Sequence, residues 1–293
     1  MSGSAQVLAP AKINLALRVL RKRPDGYHDI DTLFQAIDLS DEVEVELGAE
    51  GAPIELEVVG GSDLGPAERN LAHRAASAYL AAAGSDVGVR IRLVKRIPVG
   101  AGLGGGSSDA AAVLRCLAAL VGGVGADKVR EMGANLGSDV PFFLGVSPMA
   151  RGRGRGELLQ ALEPLPAADL VIVSPPVHVS TADAYRALSP RLGEGASAKR
   201  ELRLPVWSDA PEVAVNDFQP VISEAHPEVA RALAALRAAG ARLALMTGSG
   251  SACFGLFADN SEAEAGAARL AGETGWPCVA ARTLESFPAV ARR

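Results

Sequence analysis

Hydrophobic and charged residues alternate along three segments in the first third of the chain. Over 42–47 and again over 54–58, every second residue is a glutamate and the others are aliphatic. A period of two predicts strands with one buried and one solvated face. The glycines and Pro53 between these segments predict a hairpin or meander. The segment 87–97 alternates arginine with aliphatic residues and predicts a third strand of the same kind.

Alanine-rich segments with apolar residues every three or four positions predict helices. The first covers 70–83 and ends at Gly84, since glycine favours a helix C-terminus. Two more are expected over 109–121 and 126–136. The short apolar segment 142–144 is expected to be buried.

The second half predicts the order strand, helix, strand, strand, helix, strand, at 170–174, 228–239, 242–246, 252–257, 261–274 and 277–284. This is the split βαβ order of a ferredoxin-like domain. A chain of 293 residues fits two domains. We therefore expect an α+β protein with an N-terminal domain over 1–165 and a C-terminal domain over 166–293. The RGRGRG run within 149–157 predicts a turn at a strand edge, and the glycine- and charge-rich stretch 192–204 predicts a surface loop.

Composition narrows the class of protein. A net charge of -5 argues against a dedicated nucleic-acid binder, which needs a positive field. The three cysteines, Cys116, Cys253 and Cys278, form no CxxC pair, which predicts buried reduced thiols and a cytoplasmic location. The N-terminal residues lack the pattern of a signal peptide, and no apolar run approaches about 18 residues, so no membrane span is expected.

The strongest local feature is the sequence PVGAGLGGGSSDAAA at 98–112. Five glycines in seven residues let the backbone take positive φ angles and approach a ligand closely. The chain then enters a helix, whose free N–H groups and positive dipole end attract an anion. Ser107 and Ser108 add hydroxyl groups. The segment predicts a phosphate-binding loop, and a simple glycine-rich helix cap would explain only one or two of the glycines.

Two familiar nucleotide loops fit this segment poorly. The spacing of Gly100, Gly102 and Gly105 satisfies GxGxxG, but a dinucleotide site needs a fully buried parallel strand before the loop. The preceding strand has one arginine-bearing face. A Walker A loop needs a lysine after its last glycine, and none is present.

Three further segments carry candidate chemistry. Lys12 and Asn14 share one side of a strand, while Ile13 and Leu15 share the other. Asp139 lies in a turn before the apolar residues 141–144. The sequence TGSGS at 247–251 forms a second glycine-rich loop between two strands. Taken singly, each has a structural explanation: a solvated edge strand, a helix cap with a turn, and a bulged hairpin.

Together these segments resemble the GHMP kinases, the family of galactokinase, homoserine kinase and mevalonate kinase. The lysine strand, the phosphate-binding loop and the C-terminal glycine loop occur in the family's order, and the match covers the whole chain. The resemblance implies an N-terminal domain of the ribosomal protein S5 domain 2-like fold and a C-terminal ferredoxin-like domain. It also implies transfer of the γ-phosphate of ATP, with Mg²⁺, to an alcohol.

The resemblance assigns roles to particular residues. Asp139 would accept the proton of the attacking hydroxyl, and Lys12 would keep Asp139 ionised and neutralise charge on the transferring group. No side chain is assigned to the metal. ATP would be held by Asn70, Pro98, Val99, Gly100, Ala101, Gly102, Leu103, Gly104, Gly105, Gly106, Ser107 and Ser108.

A narrower set of motifs resembles one branch of the family. These are PAKINLALRV, RPDGYH, TLFQ, PVGAGLGGGSSDAA, GSDVPFFL, GxGE and GSGSACF, beginning at residues 10, 23, 32, 98, 137, 154 and 248. The branch implies a small-molecule substrate, cytidine diphosphate-linked methylerythritol, from non-mevalonate isoprenoid synthesis, with no nucleic-acid or membrane partner. Tyr27 and Tyr185 would stack on cytosine and His28 would hydrogen-bond its edge. The substrate residues are Asn14, Tyr27, His28, Thr181, Tyr185, Gly248 and Ser249.

Three alternatives remain open on the sequence. The chain could be another GHMP kinase, such as a homoserine or mevalonate kinase, although DGYH would not be expected there. It could be a non-catalytic nucleotide-binding member, although such a protein would be expected to have lost Lys12 or Asp139. A dinucleotide-binding protein is the third.

Overall fold

The computed structural model describes residues 3–60, 65–191, 202 and 206–293. The surface loop expected at 192–204 lies outside these ranges, except for Leu202, which is buried. Within the described ranges no helix is both long and apolar enough to cross a membrane.

The first part of the chain forms most of a large sheet and the helices that cover it. Its strands are β1 (Ser4–Lys22), β2 (His28–Glu50), β3 (Ile54–Val59), β4 (Val87–Val94), β5 (Met149–Gly154) and β6 (Leu158–Ala161). Its helices are α1 (Leu71–Ala83), α2 (Gly105–Leu120), α3 (Ala126–Leu136) and α4 (Val140–Phe143).

The rest of the chain forms a smaller sheet with its own helices. Its strands are β7 (Asp169–Val173), β8 (Val215–Asn216), β9 (Leu243–Met246), β10 (Cys253–Leu256), β11 (Cys278–Arg282) and β12 (Ala291–Arg292). Its helices are α5 (Thr181–Leu188), α6 (Ala210–Val213), α7 (Gln219–Ala225), α8 (Pro227–Ala238) and α9 (Asn260–Thr274).

The large sheet has the order β12-β1-β2-β4-β3, and β5 and β6 extend it from the first part of β2. The predicted hairpin between 42–47 and 54–58 is wrong, because β4 lies between β2 and β3. Strands β3 and β4 run parallel, so the chain must cross from one end of the sheet to the other between them. Helix α1 makes that crossing. The strand-edge turn predicted for RGRGRG is confirmed, since β5 pairs antiparallel with β6.

Helices α1 and α2 pack on the large sheet through small side chains. Both contribute buried alanines, with Tyr79 and Phe34 among the largest fully buried side chains. Alanine contacts let helices approach closely, so an aliphatic core forms with few aromatic residues. The predicted helix at 126–136 is confirmed as α3.

Two helix starts are informative. Helix α1 begins after Asn70, whose side chain accepts a hydrogen bond from the N–H of Ala72 at 2.9 Å, as expected of an N-cap. Helix α2 begins at Gly105, so the predicted start at residue 109 is wrong. Glycine has low helix propensity, but Gly104 adopts a φ of 74° and turns the chain so that the last glycines of the loop form the first helical turn.

The smaller sheet has the order β11-β7-β10-β9, with every pairing antiparallel. Helices lie between β7 and β9 and between β10 and β11, so the ferredoxin-like order is confirmed. One face of this sheet packs against its own helices. The other face packs against the first part of the chain, where Ile172 and Phe254 share a buried cluster with Ile13 and Leu103.

Two short strands from the second part of the chain belong to the large sheet. Strand β8 pairs parallel with residues 16–17 of β1, and β12 pairs antiparallel with residues 5–6. The division into domains at residues 165 and 166 stays a prediction.

Candidate active site

A cleft of about 840 Å³ opens between the two sheets. Its walls come from β1, the start of β2, the loop 98–108, the turn before α4, helix α5 and the loop 247–251. Twelve of the residues predicted from sequence line it: Lys12, Asn14, Tyr27, His28, Gly102, Gly104, Ser107, Asp139, Thr181, Tyr185, Gly248 and Ser249.

Lys12 and Asp139 form an ion pair inside the cleft. The Lys12 Nζ lies 3.7 Å from the Asp139 Oδ2, and the lysine side chain is 4% exposed while the carboxylate is 30% exposed. Burial lowers the pKa of the Lys12 ammonium, and the nearby Asp139 carboxylate acts against that change. The ammonium also donates to the Asn14 Oδ1 at 2.7 Å and lies 5.7 Å from the centre of the Phe34 ring. These contacts hold a buried cation beside a carboxylate that substrate can reach.

Asn14 joins the two parts of the chain beside this pair. Its side-chain amide donates to the Thr32 Oγ1 at 2.8 Å, within the large sheet. Its Oδ1 accepts from the Lys12 Nζ, from the Thr247 Oγ1 at 3.2 Å and from the Gly248 N–H at 3.0 Å. The predicted proximity of Lys12 and Asn14 is confirmed, and Asn14 positions Lys12 and the loop 247–251 together.

The loop 98–108 is fixed by backbone hydrogen bonds on both sides. The Lys12 N–H donates to the Leu103 carbonyl at 2.9 Å, and the Ala252 N–H donates to the Ala101 carbonyl at 3.1 Å. One bond joins the loop to β1 and the other joins it to the smaller sheet. The loop therefore lies between the two parts of the chain.

The two glycine loops touch through their backbones. A Cβ atom added at Gly102, where φ is +82°, would lie 2.5 Å from the Thr247 carbonyl oxygen. A Cβ atom added at Gly248 would lie 2.8 Å from the Gly102 carbonyl oxygen. We call this contact between Gly102 and Gly248 the glycine seam. It gives the glycines a structural purpose beyond approach to a ligand.

A second cavity of about 310 Å³ is lined by the loop and the start of α2. It is lined by Leu71, Lys95, Ile97, Asp109 and the predicted ATP residues Asn70, Pro98, Val99, Gly100, Ala101, Gly102, Leu103, Gly104, Gly105, Gly106 and Ser107. Ser108 is buried and lines neither cavity. Gly102, Gly104 and Ser107 line both cavities. The loop and the N-terminus of α2 thus offer N–H groups to a phosphate chain passing between them, which fits ATP.

Aromatic side chains gather in one part of the cleft, which we call its aromatic end. The His28 and Tyr185 rings stack at 4.4 Å with an interplanar angle of 14°, and the Tyr185 ring meets Phe218 edge-on at 4.9 Å. Tyr27 is 53% exposed, and the Arg155 guanidinium lies 4.8 Å from the centre of its ring. The stacked pair in this structure is His28 with Tyr185, and the predicted stacking of Tyr27 and Tyr185 on cytosine stays a prediction.

His28 is buried, and its Nε2 has no hydrogen-bond partner among the described residues. Burial lowers the pKa of the imidazole, and the positive charge of Lys22 lowers it further. A neutral histidine with a free nitrogen can pair with a polar base edge. Burial also raises the pKa of Tyr185 to about 12, so this ring stays uncharged.

Two of the predicted substrate residues, both in the second part of the chain, contact each other directly. The Thr181 Oγ1, at the start of α5, lies 3.2 Å from the Ser249 Oγ. These hydroxyl groups face the cleft together.

Sequence reasoning missed several residues of the cleft. The cations Lys22, Arg155 and Arg186 line its aromatic end, and Phe34 and Phe218 add apolar surface. Lys22 lies directly before the RPDGYH segment and Arg155 lies within GxGE. Their proximity to these motifs could have identified both as candidate site residues. Phe218 carries no such signal.

Comparison with known proteins agrees with this arrangement. Residues 70–145 match the model of the GHMP kinases N-terminal domain, and residues 207–275 match that of the GHMP kinases C-terminal domain. A 4-diphosphocytidyl-2-C-methyl-D-erythritol kinase of Geobacter sp. (strain M21) is 44% identical over 95% of this chain and 99% of its own length. The enzyme of the same name from Pelotomaculum thermopropionicum is 47% identical over 89% of this chain and 92% of its own.

Solved structures extend the comparison. A crystal structure of 4-(cytidine 5'-diphospho)-2C-methyl-D-erythritol kinase has a TM-score of 0.78 and 39% identity, covering 95% of this chain and 98% of that one. A homoserine kinase from Cytophaga hutchinsonii has a TM-score of 0.66 at 21% identity, covering 98% and 97%, and shows the shared fold alone.

The chain therefore belongs to the GHMP kinases, and the expected two-domain α+β fold of that family is confirmed. It is an ATP-dependent kinase that acts on a small molecule. Within the family it groups with the 4-diphosphocytidyl-2-C-methyl-D-erythritol kinases, at 42–47% identity over most of its length.

Proposed function

We propose that this kinase transfers the γ-phosphate of ATP to the 2-hydroxyl of 4-diphosphocytidyl-2-C-methyl-D-erythritol, a step toward isoprenoid precursors. The observation that carries the proposal is the position of the Lys12–Asp139 pair. The pair lines the same cleft as residues of the loop 98–108 and the aromatic side chains of His28 and Tyr185. ATP and an acceptor that carries a nucleobase could therefore meet at the Lys12–Asp139 pair.

The phosphate-binding loop would bind ATP, the phosphate donor. Its N–H groups and the positive end of α2 would bind the ATP phosphates, and Asn70 would lie near the adenine. Mg²⁺ binds mostly phosphate and water oxygens in kinases and would neutralise part of the phosphate charge. The described residues contain no group of three or more His, Cys, Asp or Glu that could hold a metal. The ATP phosphates and water would therefore supply most of the oxygen atoms around the ion.

The chemical step needs little from the protein beyond position and charge. Asp139 would orient the acceptor hydroxyl and take its proton as the new O–P bond forms and the bond from the γ-phosphorus to the β,γ-bridging oxygen breaks. Lys12 would stabilise the ionised form of Asp139 and the negative charge of the transferring group. Because the ammonium is buried, water screens its charge less than at the surface, and its effect on nearby groups is stronger.

The aromatic end of the cleft would bind the acceptor through its cytosine base. Tyr27 and Tyr185 would bind the cytosine faces, and the free His28 Nε2 would bind the base edge. Thr181, Ser249, Gly248 and Asn14 would contact the rest of the acceptor. The missed cations at this end, Lys22 and Arg155 among them, suit an acceptor that carries a diphosphate.

We also place the enzyme in the cytoplasm, since all three cysteines are unpaired and two of them are buried. Burial raises the pKa of the Cys116 and Cys253 thiols to about 12, which keeps them unreactive.

An acceptor panel tests the proposed function. ADP release would be measured with MgATP and, in turn, 4-diphosphocytidyl-2-C-methyl-D-erythritol, homoserine, mevalonate and galactose. We expect turnover with the first compound alone. Turnover confined to one of the other three would overturn the proposed acceptor, and ATP binding without turnover on any of them would favour a non-catalytic role.

A further inference from the structure

Three charged side chains are buried together beneath the phosphate-binding loop. Lys95, Asp41 and Asp109 have side chains that are 4%, 0% and 3% exposed. Burying charges is costly unless they are paired and hydrogen-bonded, so a buried cluster of this kind needs a structural or functional reason. None of the three takes part in the chemical step proposed above.

The cluster joins the two stems of the loop. Asp41, on β2, accepts hydrogen bonds from the backbone N–H groups of Arg96 at 2.6 Å and Ile97 at 2.8 Å, immediately before the loop begins at residue 98. Lys95 donates to Asp41 and also to the Asp109 Oδ2 at 2.6 Å. Asp109 lies in the second turn of α2, just after the loop ends. One ammonium group therefore ties the entry of the loop to its exit.

We infer that Asp41, Lys95 and Asp109 act as an ionic clamp that positions the phosphate-binding loop and couples its affinity for ATP to the uptake of one proton. The inference rests on the proposed role of residues 98–108 in binding ATP. Lys95 and Asp109 line the second cavity of the loop, so the clamp lies directly beside the space assigned to the nucleotide.

The charges of the clamp do not balance when all three groups are ionised, because two carboxylates face one ammonium. Burial raises the pKa of Asp109 to about 7, and repulsion by Asp41 adds to this while Lys95 acts against it. For Lys95, burial alone would lower the pKa, but the two carboxylates outweigh it and raise the pKa. The Asp109 Oδ1 has no hydrogen-bond partner among the described residues, which leaves an oxygen free to carry the proton.

Apart from Lys95 and Asp41, no described ionisable side chain is ion-paired or hydrogen-bonded to Asp109. At the surface, Arg96 of the same segment pairs with Glu42 of β2 at 2.6 Å. The elements packed against α2 carry further ionisable side chains, and none of those described is ion-paired or hydrogen-bonded to Asp109: His73 and Arg74 of α1, Lys12 of β1, Asp139 before α4, and Asp127, Lys128, Arg130 and Glu131 of α3.

The direction of the coupling follows from charge. Above the pKa of Asp109 the clamp carries a net charge of one negative unit, and below it the clamp is neutral. A negative charge beside the loop opposes the negative phosphates, so ATP binds better to the protonated clamp and in turn favours protonation. The affinity for ATP is therefore expected to fall as the pH rises through about 7.

Calorimetry with a non-hydrolysable ATP analogue and Mg²⁺ tests the clamp on the full chain. We expect the wild type to lose roughly tenfold in affinity between about pH 6 and about pH 8.5, since a shift of one pKa unit on binding corresponds to tenfold. In Asp109→Asn the amide keeps the contact with Lys95 but cannot ionise. This variant should lack that loss, so the ratio of its affinity to that of the wild type should rise roughly tenfold between about pH 6 and about pH 8.5. Titration of the nucleotide itself is common to both proteins and cancels.

Asp127→Asn is the matched control. It makes the same change in the first turn of α3, where the Asp127 side chain is 99% exposed, and should keep the wild-type profile. Lys95→Met should weaken nucleotide binding more than tenfold at every pH. The Asp109→Asn comparison does not depend on that more disruptive variant remaining folded.

Two outcomes would overturn the inference. Equal pH slopes in the wild type and Asp109→Asn would overturn the clamp alone and leave the proposed function standing. Failure of the wild-type chain to bind the nucleotide at all would overturn the proposed function and the clamp together.

Discussion

At the scale of single residues, Lys12 and Asp139 differ in their access to solvent. The lysine is almost completely buried, and its charge is stabilised by Asn14, by the Phe34 ring and by the carboxylate. The Asp139 carboxylate is partly exposed, which suits the proposed role of meeting an incoming hydroxyl. Removing the aspartate charge therefore alters the chemical step while leaving the phosphate-binding loop in place.

We expect Asp139→Asn to lower kcat by about 10²-fold or more, because general-base catalysis contributes roughly that much. The dissociation constant of an ATP analogue should change by no more than about twofold, since the loop contacts remain. Steady-state kinetics and calorimetry measure the two quantities, with Asp127→Asn as the exposed control. A kcat near the wild-type value would show that Asp139 is not the base.

Site residues that lie in contiguous motifs could be predicted from the sequence. Lys12, Asp139 and His28 each lie in a motif short enough to recognise without a structure. The clamp could not, because Asp41 and Lys95 are separated by 54 positions and neither has a distinctive neighbourhood. Tertiary folding alone brings such pairs together.

At the scale of elements, helix α4 depends on its surroundings. It has four residues, and isolated helices of that length are not stable in water. The Phe287 ring packs at 5.7 Å from Phe142 and 6.5 Å from Phe143, on the helix that directly follows Asp139. The segment that carries Phe287 is held by a hydrogen bond that the Arg115 guanidinium donates to the Pro288 carbonyl at 2.5 Å.

We expect Phe287→Ala to destabilise the protein by about 1–2 kcal/mol, because the ring is half-buried. It should also lower kcat several-fold with little change in the KM for ATP, since α4 would lose the contact that positions Asp139. Denaturant unfolding and steady-state kinetics measure both effects.

Phe287→Leu should restore most of the lost kcat, and Val146→Ala is the control, since Val146 lies close to α4 in sequence and is 89% exposed. A loss of stability with unchanged kcat would show that Phe287 only packs the fold.

The two errors in the predicted elements have one origin. Alternation identified β3 as a strand but carried no information on which strand lies beside it. Glycine content indicated a loop up to residue 108, yet Gly105 and Gly106 are helical because Gly104 directs the chain into the helix. Local sequence patterns predict the conformation of a segment. Which strand lies beside it depends on the whole fold.

At the scale of the whole molecule, the two parts of the chain share structure. Strands β8 and β12 complete the large sheet from the far end of the sequence, and Ile13 and Phe254 lie in a common core. The order of strands and helices in the second part was predictable because each element has its own periodicity. The shared core was not, since nothing in the sequence says which apolar faces meet.

We expect a fragment covering 1–165 not to unfold cooperatively alone, because it would expose the apolar face of β1 and leave the edge of that strand unpaired. Mixing it with a fragment covering 166–293 should restore cooperative unfolding. Circular dichroism during urea titration measures this, with the intact chain as reference. Cooperative unfolding of 1–165 alone, at the midpoint of the intact chain, would contradict the expectation.

The glycine seam bears on resistance to inhibitors. A compound held by the backbone atoms of Gly102 and Gly248 would contact positions where any side chain brings a Cβ atom within 2.8 Å of a carbonyl oxygen of the facing loop. Real Cβ atoms do not approach backbone oxygens so closely, so a resistant mutant could not arise by substitution at either glycine without moving the loops that the enzyme needs. Escape would have to come from residues farther from the seam, which makes this contact a durable anchor for ligand design.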